Sequence, residues 1–323
     1  MNAPGVPAML EILTITGPIY LVILIGFLTV KFGLFAAPDM RLIGKFVLFL
    51  SLPALLFRAL STRSFSEIFL PGYMLAYLIG SLIMVTLGYA FSRGVLGQKS
   101  SSSAVSAMGM SCPNSGFVGY PIGLLAWPDF AGIGLGLNML VENVVIIPLL
   151  LALAESGSRN GDPWYRVVAQ VLGRLVKNPL IIGLSAGVAM SFAPFQLPQV
   201  ASRTIGLFAD TAGPLSLFVI GGTLAGLPAG RRLGRAVPVL IGKLVIHPLC
   251  ILAGLSLVLV SGLFEIGLTE QKALIVTGAL PIFGIYTILS QKYGEEDLSA
   301  VALVATTVVS FVTLSGLLWA LGV

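Results

Sequence analysis

The sequence predicts an all-α membrane protein of ten transmembrane helices, built as two inverted five-helix repeats whose fourth and ninth helices are broken. Three observations carry that prediction. The 323 residues are 57% hydrophobic and 10% charged, with a mean hydropathy of +1.01, whereas a soluble domain holds about 25% charged residues. Apolar runs recur from Leu10 to the C-terminus, each near the roughly 20 residues that cross a bilayer. The third observation is that one half of the chain matches the other under a single shift.

The spans fall at about 9–30, 41–60, 71–92, 102–127, 130–154, 167–192, 200–226, 236–262, 269–292 and 297–321. Turn-rich segments separate them, such as FAAPD at 35–39 and ESGSRNGDP at 155–163. No secretory leader is expected, because the first basic residue, Lys31, comes after the first apolar run. The longest polar stretch divides the chain into a first repeat over 1–154, a cytoplasmic linker over 155–166 and a second repeat over 167–323. Adding 161 places Pro18 on Pro179, Gly26 on Gly187, Pro53 on Pro214 and Leu56-Phe57 on Leu217-Phe218.

An odd number of spans per half makes the second copy enter the membrane from the opposite side, the inverted repeat of many secondary transporters. Charge supports the same count. Arg58, Arg63, Arg203 and Lys272 fall on or nearest the side of the chain ends, and the other 14 of the 18 Lys and Arg residues fall on the opposite side. The excess of positive charge marks that side as cytoplasmic and puts both ends outside. The expected location is the cell (inner) membrane, multi-pass.

Proline inside a helix costs about 3 kcal/mol or more, and unpaired backbone in lipid costs several more. Such a break survives where it is covered by protein or lines a watery cavity. Pro113, in GMSCPNSGFVGYPIG, and Pro281, in ALPIFGI, interrupt the fourth span of each half. Each break frees backbone N–H groups at the start of a second half-helix: Ser115, Gly116 and Phe117 after Pro113, and Phe283, Gly284 and Ile285 after Pro281. Helix N-termini suit a carboxylate or another anion. The candidate substrate-binding residues are therefore Pro113, Asn114, Ser115, Gly116, Pro281, Ile282, Phe283 and Tyr286. Asn114 leads them, since its amide donates and accepts without a buried charge.

Ionisable residues inside the spans are candidates for coupling to H+ or Na+. Glu142 lies mid-span with Asn138 one turn before it on the same face and Asn143 beside it; it is either an ion site or part of a structural hydrogen-bond cluster. Asp210 precedes the Pro214 break by one turn and either binds a coupling ion or caps that helix. Lys243 sits about 10 Å from the cytoplasmic end of its span at 1.5 Å per residue, close enough to snorkel. His247, which shares its face, reads as structural. Cys112 and Cys250 lie within apolar runs and read as small buried residues. No metal spacing or oxyanion arrangement accompanies them, so no enzyme, metal or cofactor is expected.

These residues resemble the auxin efflux carrier family, which includes bacterial malonate and malate permeases and the plant PIN carriers. The similarity lies in CPNSGFVGYPI (112–122), KNPLIIGLSAG (177–187), AGPLSLFVIGGTLAG (212–226), GKLVIHPL (242–249) and ALPIFGIYTILSQKYG (279–294). The resemblance implies a fold like that of sodium/proton antiporters and bile-acid symporters, with helices 4 and 9 crossing at their breaks. It also implies a scaffold of spans 1, 2, 6 and 7 and a moving core of spans 3–5 and 8–10. In the family the asparagine after the first crossing proline contacts the substrate carboxylate region, here Asn114, and Asp210 stands where plant members carry an aspartate. Many bacterial members carry an asparagine four residues after the second proline; this chain has Ile285 there, with bulky Phe283 and Tyr286 nearby. The expected partners are a small organic anion and the lipid bilayer, with a homodimer open and no nucleic acid. A cation-coupled symporter of amphipathic acids and a channel remain as alternatives.

Overall fold

A computed structural model describes residues 9–156, 165–166, 169–170, 173, 176–192, 197–226 and 233–323. Among them every regular element is helical, and the β-type pairing is an isolated antiparallel bridge between Pro113 and Ile282. Seven helices are long and apolar enough to cross a membrane: Ile12–Lys31, Ala37–Ser61, Phe65–Gly94, Pro128–Ser156, Gln199–Ala225, Gly234–Ser261 and Glu296–Ala320.

The other three expected spans take different forms for visible reasons. Two are broken, as Ser100–Ser111 followed by Ser115–Ala126, and as Leu268–Ala279 followed by Tyr286–Gln291. The span expected at 167–192 is seen as Pro179–Ser191; much of its first part lies outside the described residues, as do most of the 155–166 linker and Arg231 and Arg232.

Proline explains most of the local geometry. It opens the helices that begin at Pro71, Pro128 and Pro179, where its missing N–H is no loss. Deeper in a helix it widens the preceding turn. Val47–Ser51, Ser115–Gly119, Glu142–Ile146 and Gly242–Ile246 are π turns, and each ends two residues before a proline: Pro53, Pro121, Pro148 and Pro248. The residue just before each proline donates five residues back, Leu52 to Val47, Tyr120 to Ser115, Ile147 to Glu142 and His247 to Gly242. The proline cannot make its own bond four residues back, so the chain takes up one extra residue per turn. Every one of these wide turns carries a buried polar side chain: Ser51, Ser115, Glu142 or Lys243.

Packing is closest where glycines let backbones touch. Met9–Lys31 packs along Ala212–Ala225, and Pro179–Ser191 along Leu52–Ser61. A Cβ on Gly26 would collide with the Phe218 carbonyl, and one on Gly187 would press at 3.0 Å on the Phe57 carbonyl. The two contacts exchange under the 161-residue shift, which takes Gly26 to Gly187 and Phe57 to Phe218. Elsewhere, Pro71–Gly94 lies against His247–Ser261 and Ser100–Ser111, and the last helix, Glu296–Ala320, against Met9–Lys31 and Leu233–Ile241.

Candidate binding site at two crossing breaks

A residue that precedes proline is driven out of the helical region by the proline ring. Cys112 before Pro113 adopts φ −101°, ψ 107°, and Leu280 before Pro281 adopts φ −60°, ψ 150°. Both helices therefore stop and run on as short extended stubs. The stubs meet. The Asn114 amide donates to the Pro281 carbonyl at 2.8 Å, and the Phe283 amide donates to the Cys112 carbonyl at 3.3 Å. Backbone groups loosened by each proline are thus satisfied by the other break.

The first break is secured by its own side chains. Asn114 Oδ1 accepts from the Phe117 amide at 3.2 Å, and the Asn114 carbonyl accepts from Val118 and Gly119. The amides of Ser115 and Gly116 lie ahead of these first bonds, in a buried position. Ser115 Oγ donates to Glu142 Oε1 at 2.6 Å, and Tyr77 donates to the same oxygen at 2.7 Å. One turn away, Tyr73 donates to Asn138 Oδ1 at 3.0 Å, and Asn138 Nδ2 donates to Thr277 Oγ1 at 3.2 Å. The i, i+4 pair Tyr73/Tyr77 thus meets the i, i+4 pair Asn138/Glu142 rung by rung.

The second break borrows its support. The Ile282 amide donates to Thr306 Oγ1 at 3.4 Å, and Lys243 Nζ donates to the Gly278 carbonyl at 2.6 Å. Gly278 lies in the last turn of Leu268–Ala279, where unpaired carbonyls carry partial negative charge and attract a cation. Lys243 also meets His247 Nδ1 at 2.8 Å, and both side chains are fully buried. Lys243 does not snorkel, because the end of a broken helix reaches its depth and supplies the oxygen. Gly284 and Ile285 are exposed, while Pro281 and Ile282 are buried.

Pro113, Asn114, Ser115, Gly116, Pro281, Ile282 and Phe283 all lie at the crossing. Glu142 and Asn138 stand beside it through Ser115 and Thr277, residues at or near the two breaks. Three other candidates are occupied differently. The Tyr286 hydroxyl donates to the Val105 carbonyl at 3.1 Å, inside the helical core. Asn143 donates to the Met139 carbonyl one turn back. Asp210 pairs with Arg58 at 2.8 Å in an exposed position rather than capping the helix at Pro214. Sequence reasoning missed Tyr73, Tyr77, Thr277 and the role of Lys243. The i, i+4 spacing of the two tyrosines, matching that of Asn138 and Glu142, was the available signal.

A family model described as membrane transport protein matches residues 12–318. The chain belongs to that family. It is the auxin efflux carrier group that the crossing motifs resemble. A Rhizobium meliloti (strain 1021) protein named "Putative malonate transporter" is 29% identical over 324 residues, covering 96% of both chains. An Escherichia coli (strain K12) protein named "Uncharacterized transporter YfdV" is 23% identical over 302 residues, covering 91% of this chain and 92% of its own. This member of the membrane transport protein family is thus a multi-pass membrane transporter.

Proposed function

We propose that this transporter carries small organic anions, mono- or dicarboxylates, by alternating access. The observation that carries the reading is the hydrogen-bonded crossing of the two breaks, after each of which a half-helix begins. The buried Ser115 and Gly116 amides and the exposed Gly284 backbone offer donors to a carboxylate. Because Phe117 occupies Asn114 Oδ1, the Asn114 amide nitrogen is the group left to hold the anion. The name of the Rhizobium relative supports a dicarboxylate of malonate size.

The architecture proposed is ten spans in two inverted repeats, with both chain ends outside. The exchanged contacts Gly26–Phe218 and Gly187–Phe57 support the repeat. Spans 1, 2, 6 and 7 form the scaffold, and spans 3–5 and 8–10 form the moving core. Among the described residues, polar ties across their boundary include Ser216 to the Phe117 carbonyl at 3.0 Å, Tyr20 with Ser310 at 2.9 Å, Ser315 to Thr16 at 3.1 Å and Arg63 to the Asp129 carbonyl at 2.9 Å. Glu142, one hydroxyl away from the crossing, is the proposed H+ coupling group.

The test is uptake by purified protein in liposomes, using labelled malonate and a panel of labelled mono- and dicarboxylates under imposed pH, sodium and voltage gradients. Uptake of at least one, reduced about tenfold or more in Asn114→Ala, is the expected result. Equal uptake by Asn114→Ala and the parent would remove the site; dependence on sodium alone would remove Glu142 as a proton group.

A further inference from the structure

Glu142 is buried, and a proton-coupling group has to exchange its proton with water somewhere. A cavity of about 40 Å³ lies inside the helix group Pro71–Gly94, Ser115–Ala126, Pro128–Val141 and Leu268–Ala279. At one end it is lined by Trp127 and Gly123, both partly exposed, next to Asp129, whose side chain is 98% exposed. At the other end it is lined by the buried polar residues Tyr73, Ser115, Asn138 and Thr277. One water needs roughly 10–15 Å³ of such space and two to four polar partners. The whole cavity has room for about three waters, and its buried polar lining supplies their partners.

From these observations we propose that the cavity is a water-filled proton path from the Trp127–Asp129 turn to Glu142, with the Ser115 hydroxyl as its last link. The proposal rests on the reading of Glu142 as the coupling group and adds the route and the face from which the proton arrives. Ser115 is the residue that both lines the cavity and touches the carboxylate, at 2.6 Å. A proton on a cavity water bonds to the Ser115 oxygen while that hydroxyl's own proton moves to Glu142 Oε1. The water is left neutral, the carboxylate becomes a carboxylic acid, and rotation of the hydroxyl resets the link.

The other groups that face Glu142 do not offer this path. Tyr77, from Pro71–Gly94, donates to the same oxygen but lies outside the cavity lining. Lys243, from Gly242–Ile246, acts on Glu142 through charge, and both it and the neighbouring Cys112 thiol lie outside the lining. Lys243 is held by the Gly278 carbonyl and His247. Tyr73 lines the cavity, but its hydroxyl is given to Asn138. No residue of Met9–Lys31, Ala37–Ser61, Pro179–Ser191 or Gln199–Ala225 lines the cavity.

The experiment is a rapid acidic pH jump on purified full-length protein, without any anion substrate, followed by time-resolved infrared absorption. The carboxylic-acid band of Glu142 is identified by its loss in Glu142→Gln. The expected result is a rise slowed about tenfold or more in Ala131→Leu, which fills the mouth, and in Ser115→Ala, with near-parental speed in Ser115→Thr. Gly123→Ala serves as a second mouth variant, because its Cβ would press on that of Ala131 at 3.3 Å. Parental speed in the mouth variants and Ser115→Ala would overturn the route. Absence of any Glu142 band in the parent would overturn the coupling group as well. Neither readout depends on which anion is carried, so a failed uptake assay leaves the proton path to stand or fall alone.

Discussion

The two breaks share their pre-proline geometry and are held in opposite ways. After Pro113 come Asn114 and Ser115, which cap the next half-helix and bind Glu142. After Pro281 come Ile282, Phe283 and Gly284, and the polar support arrives from Thr306 and Lys243 on neighbouring helices. The first break is thus self-supporting and chemically rich; the second is a plain backbone stub that others hold in place. The lesson is that two breaks with the same pre-proline geometry need not carry the same chemistry. The first break carries polar side chains, and the second presents the exposed N–H groups of Gly284 and Ile285, whose carbonyls are taken by Thr287, Ile288 and Leu289.

Breaking the borrowed support gives the largest expected effect. Lys243→Ala leaves the Gly278 carbonyl unpaired and opens a void, for a loss of at least about 2 kcal/mol, measured as a fall in Tm of the solubilised protein. Lys243→Met should recover the volume but not the pairing, so an equal Tm for Lys243→Met and the parent would show that the second break does not need its cation. Next in size is Asn114→Ala, which removes a helix cap at about 0.5–2 kcal/mol together with most anion uptake. Thr306→Val, the corresponding loss at the second break, is expected to cost about 1 kcal/mol and to keep uptake. Loss of transport in Thr306→Val with uptake intact in Asn114→Ala would reverse the division of labour. Asp210→Asn is the smallest, at about 0–1 kcal/mol, because the pair with Arg58 is exposed; a denaturation curve far outside that range would give Asp210 a structural part.

Much of this arrangement is legible in the residues. Pro113 and Pro281 announce their breaks, since the pre-proline restriction acts on the neighbour alone and needs no tertiary knowledge. The spacing of Asn138 and Glu142 correctly puts both on one buried face. What escapes a linear reading is depth shared between distant segments. Lys243 looks able to reach the membrane surface because its distance along its own helix is short, yet Gly278, 35 residues away, brings its carbonyl within 2.6 Å. Asp210 looks like a cap because Pro214 is near in sequence; Arg58, 152 residues distant, takes it instead. Tyr286 sits beside the crossing in the chain, but its hydroxyl is drawn inward to Val105. In each case a partner from far along the chain outbids the local one, and spacing within one helix carries no record of it.

The bonds from Asn114 to Pro281 and from Phe283 to Cys112 run between peptide groups. Ordinary point replacement cannot delete a main-chain donor; only proline placed at 114 or 283 would. The strut at the heart of the molecule is therefore insulated from almost every single-residue change around it. Side chains nearby can be exchanged to suit a new cargo while the frame that presents them keeps its shape.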